Sequence, residues 1–499
     1  MLAKLKNTVK HSAIYSLGNL SAKLVGFILL PIYFHYLTIE EYGIFSILEV
    51  TAQIIMEVLL ISIPTAMMRW YSYEDNEEKR KSIVFTSFVF IIFIAIVSNL
   101  VLIPFAGNLS ELLFSTLKYS EHFIILFLYI SISMINRMIL NLIRVKKKSV
   151  FFVVLSLIRF TAILIFNIYF VAILGLGIKG ILLGLLIGQV LLVVLSIKFV
   201  FENTIFKFNF SILKEMLGYG FPLIFSTIST MVLNLGDRYL IKYFLGDAAV
   251  GIYSAGFKIA SLVNVFINHP FQMGFLPIAF SQVGKPGSKR FFAKVLTYKT
   301  LLLVFVVIVL TFFSGNILTL ISNKSEYLSA IPLIPIIGFV FIFKGIQYVM
   351  GLSFHYVNRT KFNAYIVIFG ALINVGLNIW LIPQIEIIAA PISMIISLIL
   401  MSFLTYYFAQ KEFYIPYETR KIITLILIGV LYYFVSFQLQ EFSFGITIFL
   451  KLVLLLLFPF ILFATNFFEV IELQKIKGSA KKWRNPKMWK DNFQQIKFK

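Results

Sequence analysis

Five basic residues in long apolar stretches mark the chemistry that this chain could perform: Lys23, Arg159, Arg238, Lys258 and Lys344. A cation at the centre of a bilayer costs roughly 2.5–3.5 kcal/mol, so we expect these side chains to face a wet cavity or to pair internally. Lysine and arginine are the standard donors to phosphate oxygens. The pattern therefore predicts a cationic cavity that binds an anionic, phosphate-bearing substrate.

Three acidic residues lie in the same apolar stretches: Glu49, Glu57 and Asp237. One interpretation is purely structural, with Glu57 paired to Lys23 and Asp237 paired to Arg238 or a neighbour. A second is that Asp237 carries a proton or a sodium ion and couples transport to a gradient. Three anions do not neutralise five cations, so either interpretation leaves the interior positively charged.

The remaining ionisable residues suggest no further chemistry. Arg137, Lys242 and Lys451 are expected to reach the membrane interface as snorkelling side chains. The five histidines show no ligand spacing, and the absence of cysteine excludes disulfides, thiolate metal sites and cysteine catalysis. No metal or cofactor is predicted, apart from a coupling H+ or Na+.

The elements that must position these charges are membrane helices. Of the 499 residues, 60% are hydrophobic and only 13% are charged, far from the roughly 25% charged residues of globular chains. Segments of the length that crosses a bilayer recur throughout the chain. We predict an all-α polytopic membrane protein with about fourteen spans, at 12–36, 44–68, 83–105, 122–140, 150–174, 178–198, 217–245, 248–281, 294–321, 328–354, 362–382, 386–409, 421–438 and 443–468.

The net charge of +22 is mostly a matter of topology. With both termini in the cytoplasm, 33 of the 44 basic residues fall on the cytoplasmic side, Lys299 among them, and the outer loops hold three. The outer loops are too short for an extracytoplasmic active site. No motif supports nucleic acid as a partner, and the basic tail at 469–499 is expected either to lie on anionic headgroups or to be solvated.

An internal repeat predicts two lobes. Residues 36–46 and 244–254, 208 positions apart, match at Leu, Gly, Ile and Ser. Both copies start at odd-numbered spans, so they enter the membrane in the same orientation, and the lobes are related by a pseudo-two-fold axis along the membrane normal. The predicted division is an N-lobe over 1–204, a C-lobe over 205–414, two further helices over 415–468 and the tail over 469–499.

Two segments carry a family resemblance. The first runs from Ser16-Leu17-Gly18 through Lys23-Leu24-Val25-Gly26-Phe27 and Leu30-Pro31-Ile32-Tyr33 to Glu41-Tyr42-Gly43-Ile44. The second holds Gly236-Asp237-Arg238-Tyr239 and Gly251-Ile252-Tyr253-Ser254-Ala255-Gly256-Phe257-Lys258. Together they resemble the bacterial polysaccharide-exporter family, the Wzx-type flippases of O-antigen, lipopolysaccharide and capsule repeat units, within the superfamily of multidrug, oligosaccharidyl-lipid and polysaccharide exporters.

The resemblance implies a flippase of the bacterial inner membrane. Its cargo would be an undecaprenyl-diphosphate-linked oligosaccharide, moved to the outer leaflet through a cationic cavity between two lobes in a V-shaped bundle. Membrane lipids and the polysaccharide polymerase machinery are the implied partners. The alternatives are a flippase for the peptidoglycan precursor lipid II, a membrane glycan-processing enzyme, which the short outer loops disfavour, and a drug exporter, which the sign of the cavity disfavours.

Overall fold

A computed structural model describes residues 26–322, 324–357, 361–439 and 443–474. These residues form helices and connecting loops, and no strand occurs among them. In chain order the α-helices of seven residues or more are α1 Leu30–Tyr36, α2 Ile39–Leu60, α3 Ile63–Tyr73, α4 Glu77–Leu102, α5 Ala106–Phe114, α6 Ser120–Val145, α7 Ser149–Asn167, α8 Gly177–Glu202, α9 Phe210–Leu235, α10 Asp237–Ala260, α11 His269–Gln282, α12 Ser288–Ile321, α13 Leu333–Tyr356, α14 Lys361–Ile385, α15 Ala389–Glu412, α16 Thr419–Gln438 and α17 Phe444–Ala464.

The polytopic all-α fold predicted from the sequence is confirmed. Within the described ranges, eleven segments are long and apolar enough to cross a membrane. Two of them, over 210–282 and 361–412, each join more than one predicted span, which brings the count into line with the prediction. The start of the first span and Lys23 lie outside the described residues, as does the predicted tail beyond residue 474.

Two breaks in the helices have clear backbone causes. Ile61 and Ser62 both adopt left-handed backbone angles, and Pro64 opens the next helix, so the second predicted span is divided into α2 and α3. Gly246, at φ 84° and ψ −179°, interrupts α10 at the boundary predicted between the seventh and eighth spans. A glycine suits this conformation because it has no Cβ to clash.

Capping side chains fix the start of α2, the helix through which the N-lobe contacts α10 of the C-lobe. The Thr38 hydroxyl accepts a hydrogen bond from the Glu41 backbone nitrogen at 3.1 Å, and the Glu41 carboxylate accepts one from the Thr38 backbone nitrogen at 2.9 Å. This reciprocal capping box satisfies two amide groups that the first helical turn leaves unpaired.

The N-lobe helices α1–α8 and the C-lobe helices α9–α15 meet where α2 crosses α10. Gly43 packs against the backbone of Asp247, and Gly251 packs against the backbone of Ile39. The two contacts are equivalent, because Gly43 corresponds to Gly251 and Ile39 to Asp247 at the 208-residue offset of the sequence repeat. The same offset relates Ser46 and Ser254, whose hydroxyl oxygens lie 2.6 Å apart in a hydrogen bond. The crossing is therefore reciprocal, as a two-fold relation between the lobes requires.

The chain divides into two compact units, one ending at Tyr417 and one beginning at Glu418. The first contains the two lobes. The second contains α16 and α17, which are joined by a hydrogen bond of 2.7 Å from the Tyr432 hydroxyl to the Leu454 carbonyl. The domain boundaries at residues 204, 414 and 468 stay predictions.

Candidate functional site

A cavity of about 540 Å³ lies between the two lobes. Its wall combines residues of α1, α2, α6, α7 and α8 from the N-lobe with residues of α9 and α10 and the π-helical turn Asn264–Asn268 from the C-lobe. Three of the predicted cations line it: Arg159, Arg238 and Lys258. Glu49 is the one predicted acidic residue in the same wall.

Arg159 is the cavity cation with the fewest neutralising contacts. Among the described residues, no carboxylate lies within ion-pair distance of its guanidinium. Lys258 is 3.8 Å from the Glu49 carboxylate, and both side chains remain about one-third or more exposed, so this pair is weak. The cavity therefore presents positive charge to whatever occupies it.

Arg238 is held by its neighbour in sequence. Its Nη1 lies 3.1 Å from the Asp237 carboxylate, which also accepts hydrogen bonds from the Arg238 backbone nitrogen at 2.9 Å and from the Tyr253 hydroxyl. The guanidinium also stacks over the Phe257 ring, 4.6 Å from its centroid. Asp237 is thus an ion-pair partner, the first of its two predicted roles.

Lys344 does not line the cavity. Its ammonium lies over the rings of Phe341 and Phe257, at 5.2 Å and 5.9 Å from their centroids. Phe257 itself is part of the cavity wall. The structure therefore places Lys344 behind an aromatic side chain that faces the cavity. Of the five predicted cations, Arg159, Arg238 and Lys258 line the cavity, Lys344 lies behind Phe257, and Lys23 lies outside the described residues.

Two cations expected at the membrane interface form ion pairs. Helix α6 continues to Val145, which puts Arg137 about two turns inside it, and its guanidinium bonds the Glu57 carboxylate at 2.7 Å. Lys242 bonds the Asp247 carboxylate with only 14% of its side chain exposed. Lys242 is therefore neutralised inside the bundle and does not snorkel, whereas Arg137 is ion-paired but remains 44% exposed.

Sequence reasoning also missed a buried cation, since it assigned Lys299 to a cytoplasmic loop. Lys299 lies in α12 with 5% of the residue exposed. Its ammonium donates to the Gly345 carbonyl at 3.0 Å and lies 4.3 Å from the Phe271 ring centroid. The apolar residues that follow it from 301 onwards are the signal that could have placed it inside the helix.

One end of the cavity is closed by contacts between the lobes. Beyond the reciprocal glycine crossing, the Thr51 hydroxyl bonds the Tyr239 hydroxyl at 2.6 Å. Lys324 donates to the Leu37 carbonyl at 2.7 Å, and the Tyr327 ring stacks on Phe34 with centroids 4.1 Å apart. The charge distribution predicts that this end faces the outside of the cell.

On the opposite side, α3 and α9 are joined by a smaller set of contacts. The Trp70 indole nitrogen donates to the Glu215 carboxylate at 3.0 Å, and the Arg69 guanidinium lies 4.7 Å from the Tyr219 ring centroid. Gly220 packs directly on the Ile61 carbonyl, a close approach that a side chain would block. The N-lobe and the C-lobe therefore touch both at the crossing of α2 and α10 and between α3 and α9.

Comparison with known families gives two matches. The model of the family described as polysaccharide biosynthesis protein matches residues 8–283, and the model named MatE matches residues 222–380. The chain is 27% identical over 270 residues to Lsg locus putative protein 1 of Haemophilus influenzae, which covers 52% of this chain and 62% of that protein. It is 26% identical over 240 residues to an uncharacterized membrane protein of Methanocaldococcus jannaschii, of which it spans 46%.

Solved structures share the fold at low sequence identity. The lipid II flippase MurJ in its inward closed conformation aligns with a TM-score of 0.71 and 14% identity, covering 91% of this chain and all of that one. An inward-facing multidrug resistance MATE family transporter of the MOP superfamily aligns with a TM-score of 0.63 and 15% identity over 82% of this chain and 95% of that one. The two-lobed arrangement is thus a transporter fold.

Proposed function

Since the chain belongs to the polysaccharide biosynthesis protein family, we propose that it flips an undecaprenyl-diphosphate-linked oligosaccharide from the cytoplasmic to the outer leaflet of the bacterial inner membrane. It is a multi-pass membrane protein with the fold of the multidrug and lipid-flipping transporters. The identity of the cargo, the direction of transport and the identity of the membrane are what we propose beyond that fold. The cavity between the lobes would bind the cargo's head group.

The observation that carries the proposal is Arg159. Its guanidinium lines a cavity between the lobes, and among the described residues no carboxylate neutralises it. A charge in that position is costly unless a counter-charge or water accompanies it. The planar guanidinium matches two phosphate oxygens at once, and Lys258 in the same wall adds a second donor. A diphosphate supplies the counter-charge that the protein lacks at this point.

The proposal includes alternating access, which the contacts between the lobes support. The proposed cargo enters from the cytoplasmic side when the contacts of Trp70 and Arg69 with α9 separate, and leaves when the crossing of α2 and α10 opens. Coupling to a H+ or Na+ gradient is part of the proposal. Of the three acidic candidates, Glu49 lines the cavity, whereas Glu57 is bonded to Arg137 and Asp237 to Arg238.

The test compares two arginines of the same lobe. Arg159→Gln is expected to weaken binding of undecaprenyl diphosphate to the purified protein at least tenfold, since hydrogen bonds to charged groups contribute about 1.5–3 kcal/mol. Arg159→Glu is expected to abolish display of surface polysaccharide in cells. Arg137→Gln is the matched control, because Arg137 is ion-paired and is not part of the cavity wall. Full display by Arg159→Glu at normal protein levels would overturn the proposal.

A flippase for lipid II is the second candidate, favoured by the structural similarity to MurJ. Both cargoes carry a diphosphate, so the cationic wall suits either. Proteoliposomes loaded with each lipid in turn separate the two, because only the true cargo should cross the bilayer at a rate that depends on Arg159.

A further inference from the structure

We propose that the N-lobe wall of the cavity is a subsite for the sugar that adjoins the diphosphate. This inference rests on the proposed function. The wall carries neutral polar side chains from four different helices: Gln53 of α2, Tyr129 of α6, Ser156 of α7 and Gln189 of α8. Amide and hydroxyl groups that face a cavity are costly unless they find a hydrogen-bond partner there. They suit an occupant with many hydroxyl groups, and neither a lipid tail nor a flat apolar drug uses them.

A buried amide pair fixes the orientation of Gln189. The Asn136 side chain donates to the Gln189 side-chain oxygen at 2.7 Å and to the Gln189 backbone carbonyl at 2.9 Å. Both residues are more than nine-tenths buried, and the Asn136 side-chain oxygen has no hydrogen-bond partner among the described residues. The Gln189 side-chain oxygen is therefore engaged on the protein side, and Tyr129 lies in the same cavity wall as Gln189. Groups held in this way bind a ligand without first losing rotational freedom.

The polar wall directly adjoins the cation that would bind phosphate. Ser156 and Arg159 are three residues apart on α7, so they lie on the same helical face. Helices α7 and α8 approach closely at Gly188, where an added Cβ would lie 3.3 Å from the Arg159 carbonyl. This contact places Gln189 beside Arg159 in one wall. A sugar bonded to a phosphate at Arg159 would therefore reach the amide and hydroxyl groups.

The size of the cavity limits what the subsite holds. A volume of about 540 Å³ falls within the roughly 300–1,000 Å³ of small-molecule sites. That space suits a diphosphate and the sugar attached to it. The lipid tail and the outer sugars must extend beyond the cavity, so recognition concentrates on the junction between phosphate and sugar.

The experiment measures binding of two lipids to the purified full-length protein. One is undecaprenyl diphosphate, and the other is undecaprenyl diphosphate carrying a single sugar. Gln189→Leu is expected to weaken binding of the sugar-bearing lipid about tenfold, the loss typical of a hydrogen bond removed from a buried site, and to leave binding of the bare lipid unchanged. Tyr129→Phe, which keeps the ring, should show the same selectivity with a smaller effect.

The bare lipid is the internal control for folding. The subsite would be overturned if Gln189→Leu and Tyr129→Phe changed the affinity for the sugar-bearing lipid by the same factor as the affinity for the bare lipid, each relative to the unaltered chain. Arg159→Gln should weaken both lipids alike, because it removes the contact to phosphate. If Arg159→Gln leaves the bare lipid bound as tightly as before, the proposed function fails instead, so the two failures are distinguishable.

Discussion

The reciprocal crossing of α2 and α10 predicts how the closed end of the cavity responds to one added methyl group. A Cβ on Gly43 would lie 2.9 Å from the Gly251 backbone nitrogen, against 3.4–4 Å for an ordinary contact, and closer still to the Asp247 carbonyl oxygen. The mirror contact is as tight, since a Cβ on Gly251 would lie 2.9 Å from the Ile39 carbonyl carbon. Either alanine must therefore push the helices apart by about 0.5 Å or more.

The energetic cost of that separation falls on the closed state alone. Overpacking a tight contact costs about 1–3 kcal/mol, and a state in which the lobes have parted at this end does not bear it. The equilibrium should shift away from closure by about 5- to 150-fold. Because the two contacts are related by the internal repeat, Gly43→Ala and Gly251→Ala should shift it by similar amounts.

A disulfide between the lobes reports the shift. The chain has no cysteine, so Ser46→Cys with Ser254→Cys introduces one defined pair at positions whose side-chain oxygens lie 2.6 Å apart. Under mild oxidation the pair should cross-link rapidly in the parent and more slowly with either alanine, by at most the factor of the equilibrium shift. Gly274→Ala is the matched control, because nothing lies within 4 Å of its Cβ position. Cross-linking at the control rate in both alanine variants would refute the tight-crossing argument.

Three further outcomes are expected. Glu49→Gln should raise the affinity for undecaprenyl diphosphate by about threefold, since it removes the carboxylate that partly offsets Lys258; equal affinity in a direct binding titration would contradict this. Lys299→Met should leave thermal stability in detergent unchanged or raised, because burial of a charge without a counter-charge is costly; a marked loss would show that its bonds outweigh desolvation. Thr38→Ala should cost about 1 kcal/mol of stability through loss of the capping box with Glu41, whereas Thr38→Ser, which keeps the hydroxyl, should not.

Much of the fold could be predicted from the sequence because its causes are local. Whether a segment spans a bilayer depends on its own length and hydropathy, so the predicted spans correspond closely to the helices. The 208-residue offset between Gly43 and Gly251 likewise predicted the relation between the lobes, since equivalent residues meet at a two-fold crossing. Lys299 was missed because it lies in the first turns of the predicted span 294–321 and was counted with the basic residues that precede that span, whereas α12 already begins at Ser288.

The candidate site was predictable only in kind. Net positive charge inside the membrane follows from counting residues, and the structure brings Arg159, Arg238 and Lys258 to one cavity as that count suggested. The count could not give Lys344 its place behind Phe257, nor the partner of Arg137, because those depend on which helix faces are packed together. The neutral groups around Gln189 carried no sequence signal at all, since an isolated amide in an apolar helix is as typical of helix packing as of a binding site.

The sequence alone determined that this chain spans the membrane many times, in two related halves, with more positive than negative charge between its helices. Those properties follow from composition, periodicity and repeat, which belong to each segment separately. Only the tertiary structure decided which charges are neutralised and which face a cavity. Neutralisation depends on distances of a few ångströms between residues far apart in the chain, such as the 80 positions from Glu57 to Arg137.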